Sequence, residues 1–240
     1  MNSEKHWYEE FQEKDFITKL LHNSRYKNLK KIVKKTSKEL NKSINIIDIG
    51  CGPSKAFQVI SELNIEFNYI GIEIREDFYQ LSLDRYGRND NFSIINDNIE
   101  NCFNQFMKAD LIIGLESFEH IKEGIVFKML EAISRTSFKY LYVTVPNELG
   151  IALLVKNIGS YLMGYQRSKD YSFAETIYAT TYKLDKIKRV YDDHKCFDWR
   201  WLAHSLRLNV DIIERTTSPS NLIPIFISPS IGFLCKKKDN

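Results

Sequence analysis

Between Ile44 and Val145 the chain alternates short Ile/Val-rich runs with longer amphipathic stretches, a pattern few folds tolerate. The runs are 44-INIIDI-49, 68-NYIGIEI-74, 92-FSIIN-96, 110-DLIIGL-115 and 139-KYLYVTV-145. Nearly continuous apolar strands imply burial on both faces, the condition of a parallel sheet covered by helices. Helices are expected near 54–63, 76–86, 99–107 and 122–135. Right-handed crossovers through them give a doubly wound α/β domain.

The flanks follow other rules. In 26-YKNLKKIVKKTSKELNK-42, Leu29, Ile32, Val33, Thr36 and Leu40 recur at helical spacing, with lysines on the opposite face. Residues 1–42 are therefore expected to form an N-terminal helical cap on a core spanning 43–149. After Pro146 the alternation stops. Residues 150–195 read as a helical insertion after the fifth strand, rich in aromatics: Tyr161, Tyr165, Tyr171, Phe173, Tyr178 and Tyr182. Such a segment could close over a substrate, although packing alone also accounts for the aromatics. In 196–240, Asp198 is a candidate helix cap, and strands are expected at 209–216 and 231–237.

Length and composition narrow the function classes. A chain of 240 residues fits a single domain. A net charge of +3 gives little support for a nucleic-acid partner, and the lysine face of residues 27–42 is the one feature pointing that way. That face could also touch a membrane surface, but lysine faces are ordinarily just solvated. Cys51, Cys102, Cys196 and Cys235 include no CxxC pair, which argues against disulfides and structural zinc and for a reducing cytoplasm. No run of 18 apolar residues exists to span a membrane.

The first strand runs into 46-IIDIGCGPSKAF-57, where Gly50 and Gly52 bracket Cys51 and a helix begins near Ser54. A strand, a glycine turn and a helix N-terminus make a ligand site at the carboxyl edge of a sheet. Asp48 sits at that edge and needs a partner, which a ligand ammonium would supply. Glu73 ends the next strand, where an acid can take both hydroxyls of a ribose. Lys55 replaces the third glycine of the dinucleotide fingerprint. That disfavours a nicotinamide cofactor and leaves an adenosine-containing ligand.

These residues resemble motif I of the class I S-adenosylmethionine (SAM)-dependent methyltransferases. The resemblance continues in order through YIGIEI, 96-NDN-98, 110-DLIIGLESFEHI-121 and 142-YVTVPN-147, and LESFEHI is similar to the small-molecule branch. It implies a seven-stranded Rossmann-like sheet whose last two strands form an antiparallel hairpin. It also implies SAM as cofactor. Asp48, Gly50, Cys51 and Gly52 would hold its methionine end, and Glu73 its ribose. Asp97, with Asn98 and Ile99, would form the adenine pocket, and Leu115 and Glu116 would close the site beside the methionine. Asp97 could also cap a helix at 99.

Methyl transfer to a hydroxyl needs the acceptor's proton removed, and a histidine or a metal can do that. Of His6, His22, His120, His194 and His204, two are candidates. His194 lies among Asp192, Asp193, Asp198 and Arg200 after the insertion, and His120 ends LESFEHI. Nothing in the sequence assigns a metal-ligand set. The expected reaction is methylation, at oxygen, of a small-molecule, sugar or lipid-linked glycan acceptor. N-methylation and a non-catalytic SAM-binding scaffold remain as alternatives. No Pro-Pro-aromatic motif follows strand four and no Pro-Cys occurs, so base-modifying enzymes are poor matches.

Overall fold

The computed structural model describes residues 16–162 and 171–238. His6, Tyr165 and the side chain of Tyr161 lie outside what is described. The elements run α1 (Phe16–Leu40), β1 (Ile44–Ile49), α2 (Lys55–Ser61), β2 (Phe67–Glu73), α3 (Glu76–Tyr86), β3 (Phe92–Asn96), β4 (Leu111–Leu115), α4 (Glu123–Ser134) and β5 (Tyr140–Pro146). They continue with α5 (Gly150–Leu162), α6 (Phe173–Thr180), α7 (Trp199–Asn209), β6 (Val210–Ser218) and β7 (Ser230–Lys237). The seven strands form one sheet in the order β3-β2-β1-β4-β5-β7-β6. β1 to β5 are parallel, and β7 runs antiparallel to both β5 and β6.

Alternation along β1 sends Ile47 and Ile49 to one face and Ile44 and Ile46 to the other. The first face packs against α4 through Val126, Met129, Leu130 and Ile133, and against α7 through Leu202, Ala203 and Leu206. The second packs against α1 through Leu29, Ile32 and Val33, and against α2 through Ala56, Phe57 and Ile60. The lysine-rich face of α1 is largely turned to solvent; Lys30 pairs there with Glu62, and Lys42, just past the helix, pairs with Asp110. No helix among the described residues is long and apolar enough to cross a membrane.

Two expected helices come out differently. Residues 99–107 form two 3-10 turns, Ile99–Asn101 and Phe103–Lys108. The cap of the first is Asn98, whose side chain accepts from the Glu100 N–H, rather than Asp97. Asp97 instead accepts from the Asn98 N–H and from Asn101 Nδ2. Among the described residues, the second half of the insertion holds the short α6, started by a Ser172–Glu175 capping box, and a 3-10 turn at Leu184–Lys186. Asp198 caps α7 as expected, accepting from the Arg200 N–H.

Strand order reverses between β1 and β4, so the loops after these two strands diverge and leave a crevice at the carboxyl edge. The two loops meet at its floor. Ser117 Oγ donates to the Ile49 carbonyl at 2.6 Å. Gly50, at φ +65°, passes so close that a Cβ there would lie 2.6 Å from Ser117 Cβ. Gly52 also has positive φ, +53°, but has nothing within 4 Å of such a Cβ. Alanine at either position carries a left-handed backbone cost of about 1–2 kcal/mol. Gly50→Ala is expected to lose roughly a further 1–3 kcal/mol to overpacking. Urea denaturation of the two variants checks this, and equal losses would contradict it.

Candidate active site

The crevice is a cavity of about 780 Å³. It is lined by every cofactor-binding residue expected from the sequence: Asp48, Gly50, Cys51, Gly52, Glu73, Asp97, Asn98, Ile99, Leu115 and Glu116. His120 lies on its wall as well. Arg25 and Tyr26 of α1, and Lys122, Tyr191 and Asp192, are lining residues that sequence reasoning passed over. They come from chain segments distant in sequence and carry no local motif.

At one end Glu73 is 6% exposed and fixed by backbone donors. Gly52 N–H reaches Oε2 at 2.7 Å and Arg75 N–H reaches Oε1 at 2.9 Å. Each oxygen keeps lone-pair capacity for a ligand hydroxyl. Burial raises the Glu73 pKa above the usual carboxylate value, and the two amide donors oppose it.

Asp48 lies deeper, at 2% exposure. Tyr69 donates to its Oδ2 at 2.6 Å, while Oδ1 is buried without a hydrogen bond among the described residues. Burial raises the Asp48 pKa from 3.8 to about 7, against the Tyr69 bond and with the help of the nearby Glu73 charge. A cation placed at Oδ1 would reverse that shift.

Glu116 follows β4 with φ 57°, a left-handed conformation. Its carboxylate faces Arg25 and Ser230: Arg25 Nη2 is 3.2 Å and Ser230 Oγ 2.6 Å from Oε1. Burial works to raise its pKa, but Arg25, His194 and Ser230 outweigh burial and hold it below the usual value.

Beside His120 sits a group that joins the LESFEHI stretch to the 190–195 loop; of its three members only His120 lines the cavity, and Glu119 and His194, the latter expected as a catalytic residue, are not part of the lining. Glu119 is fully buried, and neither carboxylate oxygen has a hydrogen bond among the described residues. His194 Nδ1 lies 3.3 Å from Glu119 Oε1, within ion-pair range but without hydrogen-bond geometry. The His120 and His194 rings are 5.1 Å apart between centroids. One ligand atom from each of Glu119, His120 and His194 falls within 4.8 Å of the others, a spacing that could hold a metal ion. Burial opposes charge on His194, but Glu119, with Glu116 and Glu148, outweighs it, so the His194 pKa is raised above 6.5.

Arg189 brings His194 to Glu119. Its guanidinium donates to the carbonyls of Lys195 and Val190 at 2.5 and 2.9 Å, and also to the Glu119 carbonyl. His120 Nδ1 meets the Tyr191 carbonyl at 2.8 Å and pins the same loop. His22 sits by Arg25 on α1, and His204 is exposed on α7. Of the insertion's described aromatics, Tyr171, Phe173, Tyr178 and Tyr182 do not line the cavity, whereas Tyr191 does. Tyr171 and Tyr178 pack with Leu153, Ala179, Ile187 and Cys196 in a satellite core, while Phe173 is 85% exposed.

No protein-family model matches the sequence, and no curated protein does. The fold does have counterparts. The methyltransferase domain of bacterial CtHen1 superposes with a TM-score of 0.62 at 13% identity, over 91% of this chain and 100% of that one. Magnesium protoporphyrin IX methyltransferase from Synechocystis PCC 6803, with bound S-adenosylhomocysteine (SAH), gives 0.53 at 14% identity over 93% and 88%. The CurJ carbon methyltransferase gives 0.58 at 14% identity over 95% and 60%. The fold is that of the SAM-dependent methyltransferases. Likeness at such identities speaks for the fold, and the site's own geometry must carry the chemistry.

Asp48 gives the cavity a measurable signature. In the unfolded chain it loses its proton near 3.8, but in the folded protein only near 7. Its stabilising contribution is therefore full below the lower value and is lost as pH rises through the upper one. Asp48→Asn removes this titration. Its stability relative to the parent should rise by roughly 2–3 kcal/mol between pH 5 and pH 8. Denaturant melts at the two pH values test this, and a difference independent of pH would contradict it.

Proposed function

We propose that the protein is a SAM-dependent methyltransferase that methylates a hydroxyl oxygen of a small-molecule or glycan acceptor. The observation that carries the reading is one cavity lined by Asp48, with an unsatisfied oxygen, by the amide-held Glu73, and by His120, which lies within metal-ligand spacing of Glu119 and His194. The ammonium of the methionyl group would meet Asp48 Oδ1, and the ribose hydroxyls Glu73. Adenine would lie by Ile74, Asp97, Asn98 and Ile99. Those groups suit an adenosyl amino acid, whereas a nicotinamide dinucleotide finds Lys55 where its third glycine would be.

The chemistry is an in-line displacement. The methyl–sulfur bond breaks as the methyl–oxygen bond forms, SAH leaves, and the acceptor hydroxyl gives up its proton. Positioning and water exclusion supply much of the rate. Two imidazoles and a carboxylate, with coordination positions left open, suit a catalytic divalent cation of the transition series such as Zn²⁺ or Mn²⁺. Such a cation would lower the pKa of an acceptor hydroxyl and neutralise its charge. Glu119 would supply the anionic ligand, and the raised His194 pKa means that a proton competes with the cation there. Lys122, Tyr191, Asp192 and His120 make this wall polar, which suits a sugar or another hydroxylated acceptor.

A second reading uses the same pair without metal. His194 beside a buried Glu119 also has the composition of a general base with its orienting carboxylate. A chelator separates the two readings: loss of turnover restored by added Mn²⁺ supports the cation, and insensitivity supports the dyad.

The reading predicts a division of labour. Glu73→Ala should weaken SAH binding by about 10-fold or more, the loss of charged hydrogen bonds to two hydroxyls. Glu119→Gln and His194→Ala should bind SAH like the parent but lose about 100-fold or more in turnover. Calorimetric titration with SAH, followed by a methyl-transfer screen over sugars and ribose-ended oligonucleotides, checks this. If the parent protein binds neither SAM nor SAH after copurified cofactor is removed, the reading fails. Loss of SAH binding in all three variants would remove the assignment of Glu119 and His194 to the acceptor side.

A further inference from the structure

We propose that the outward face of α5 and α6 is a docking surface for an anionic lipid bilayer. The proposal concerns where the protein works, and it does not rest on the reaction assigned above. A surface helix ordinarily turns its charges outward and its apolar stripe to the core. These two helices do the reverse. The exposed side chains described on α5 are Ile151, Leu154, Val155 and Ile158, and α6 exposes Phe173 and Ile177. Positions 151, 154, 155 and 158 follow helical i, i+3, i+4, i+7 spacing and form one stripe, and 173 and 177 form another. Phe173 is 85% exposed and Ile158 60%.

The inner faces account for the packing of the pair. Leu153 of α5 and Ala179 of α6 are fully buried, in a satellite core with Tyr171, Ile187 and Cys196. The outward stripes are therefore surplus to the fold, and exposed apolar surface of this kind marks an interaction site.

Charge selects the partner. Lys183, Lys186 and Lys188 follow α6 and are exposed, and Asp185 offsets one of them. Lys183 N–H donates to the Tyr178 carbonyl at 2.8 Å, and Lys186 Nζ lies 5.3 Å from the centre of the Tyr178 ring, so both are tied to α6. A second copy docking about a two-fold axis would bring the same lysines toward one another. A nucleic acid would use the lysines and leave the aliphatic stripe in water. An anionic bilayer serves both, with headgroups meeting the lysines and the stripes entering the headgroup–acyl boundary. Cys196 of the satellite core is two residues past His194, so the docking face and the loop carrying His194 belong to one packed unit.

Co-sedimentation of the full chain with vesicles tests the proposal. One set is phosphatidylcholine alone, and the other is phosphatidylcholine mixed with phosphatidylglycerol. The parent should bind the mixed vesicles about 10-fold or more tightly than the neutral ones, and less tightly as salt rises. Phe173→Ser, at a side chain that the core does not use, should weaken binding to the mixed vesicles by about 10-fold, and Ile158→Ser similarly. Lys183→Gln combined with Lys186→Gln should cost about 10- to 30-fold on the mixed vesicles and little on the neutral ones. Lys31→Gln combined with Lys34→Gln, on α1, should leave binding unchanged. Failure of the parent to bind the mixed vesicles overturns the proposal, and so does equal binding to both sets. Binding that survives Phe173→Ser and Ile158→Ser but falls with the α1 substitutions overturns it too, because the contact is then one of charge on another face. A parent that is dimeric by light scattering and becomes monomeric with Phe173→Ser assigns the face to a second copy, which also overturns it.

Discussion

The contact between Ser117 and the Ile49–Gly50 turn is the constraint on which the site depends. A hydroxyl–carbonyl bond of 2.6 Å and a glycine with no room for a Cβ weld the loop after β1 to the loop after β4. The first loop carries the glycine turn, and the second carries Glu116, Glu119 and His120. On the proposed reading, welding them fixes the distance from the cofactor's place to the residues assigned to the acceptor. Catalysis by positioning requires that kind of rigidity, because misplacement of about 1 Å can cost about 100-fold in rate.

Around this weld the chain leaves charge unpaid for. Asp48 keeps one oxygen buried without a hydrogen bond, and Glu119 keeps two. Buried carboxyl oxygens left without hydrogen bonds destabilise a fold, so a sequence selected for stability alone would replace such groups with apolar side chains. Asp48 lines the cavity and Glu119 lies beside His120 of its wall, and that is the physical argument for ligands near both. A scaffold protein with no ligand would gain stability by losing them.

Much of the fold was legible because it is written locally. β1 and β3 fall on the expected residues, and the ligand loop declares itself through Gly50 and Gly52. The tract 99–107 read as a helix, but Asn98 caps so short a turn that 3-10 geometry results. The acceptor wall was only half visible. His120 and His194 stood out as histidines, while Glu119, though inside the LESFEHI motif, was assigned no role. Its meeting with His194 depends on Arg189, which ties the 190–195 loop to the Glu119 carbonyl across 70 positions. The Glu116 contact with Ser230 spans 114 positions and was equally hidden. Pairings of that range carry no periodicity, so no pattern in the sequence reports them.

The most direct test is the anomalous diffraction of crystals of the full chain grown with SAH and Mn²⁺. The account predicts SAH along the Gly50–Gly52 turn with its ribose on Glu73, and a manganese peak among Glu119, His120 and His194. SAH bound in that pose with no peak at the three side chains would contradict the cation. A cavity without SAH at saturating ligand would contradict the methyltransferase reading as a whole.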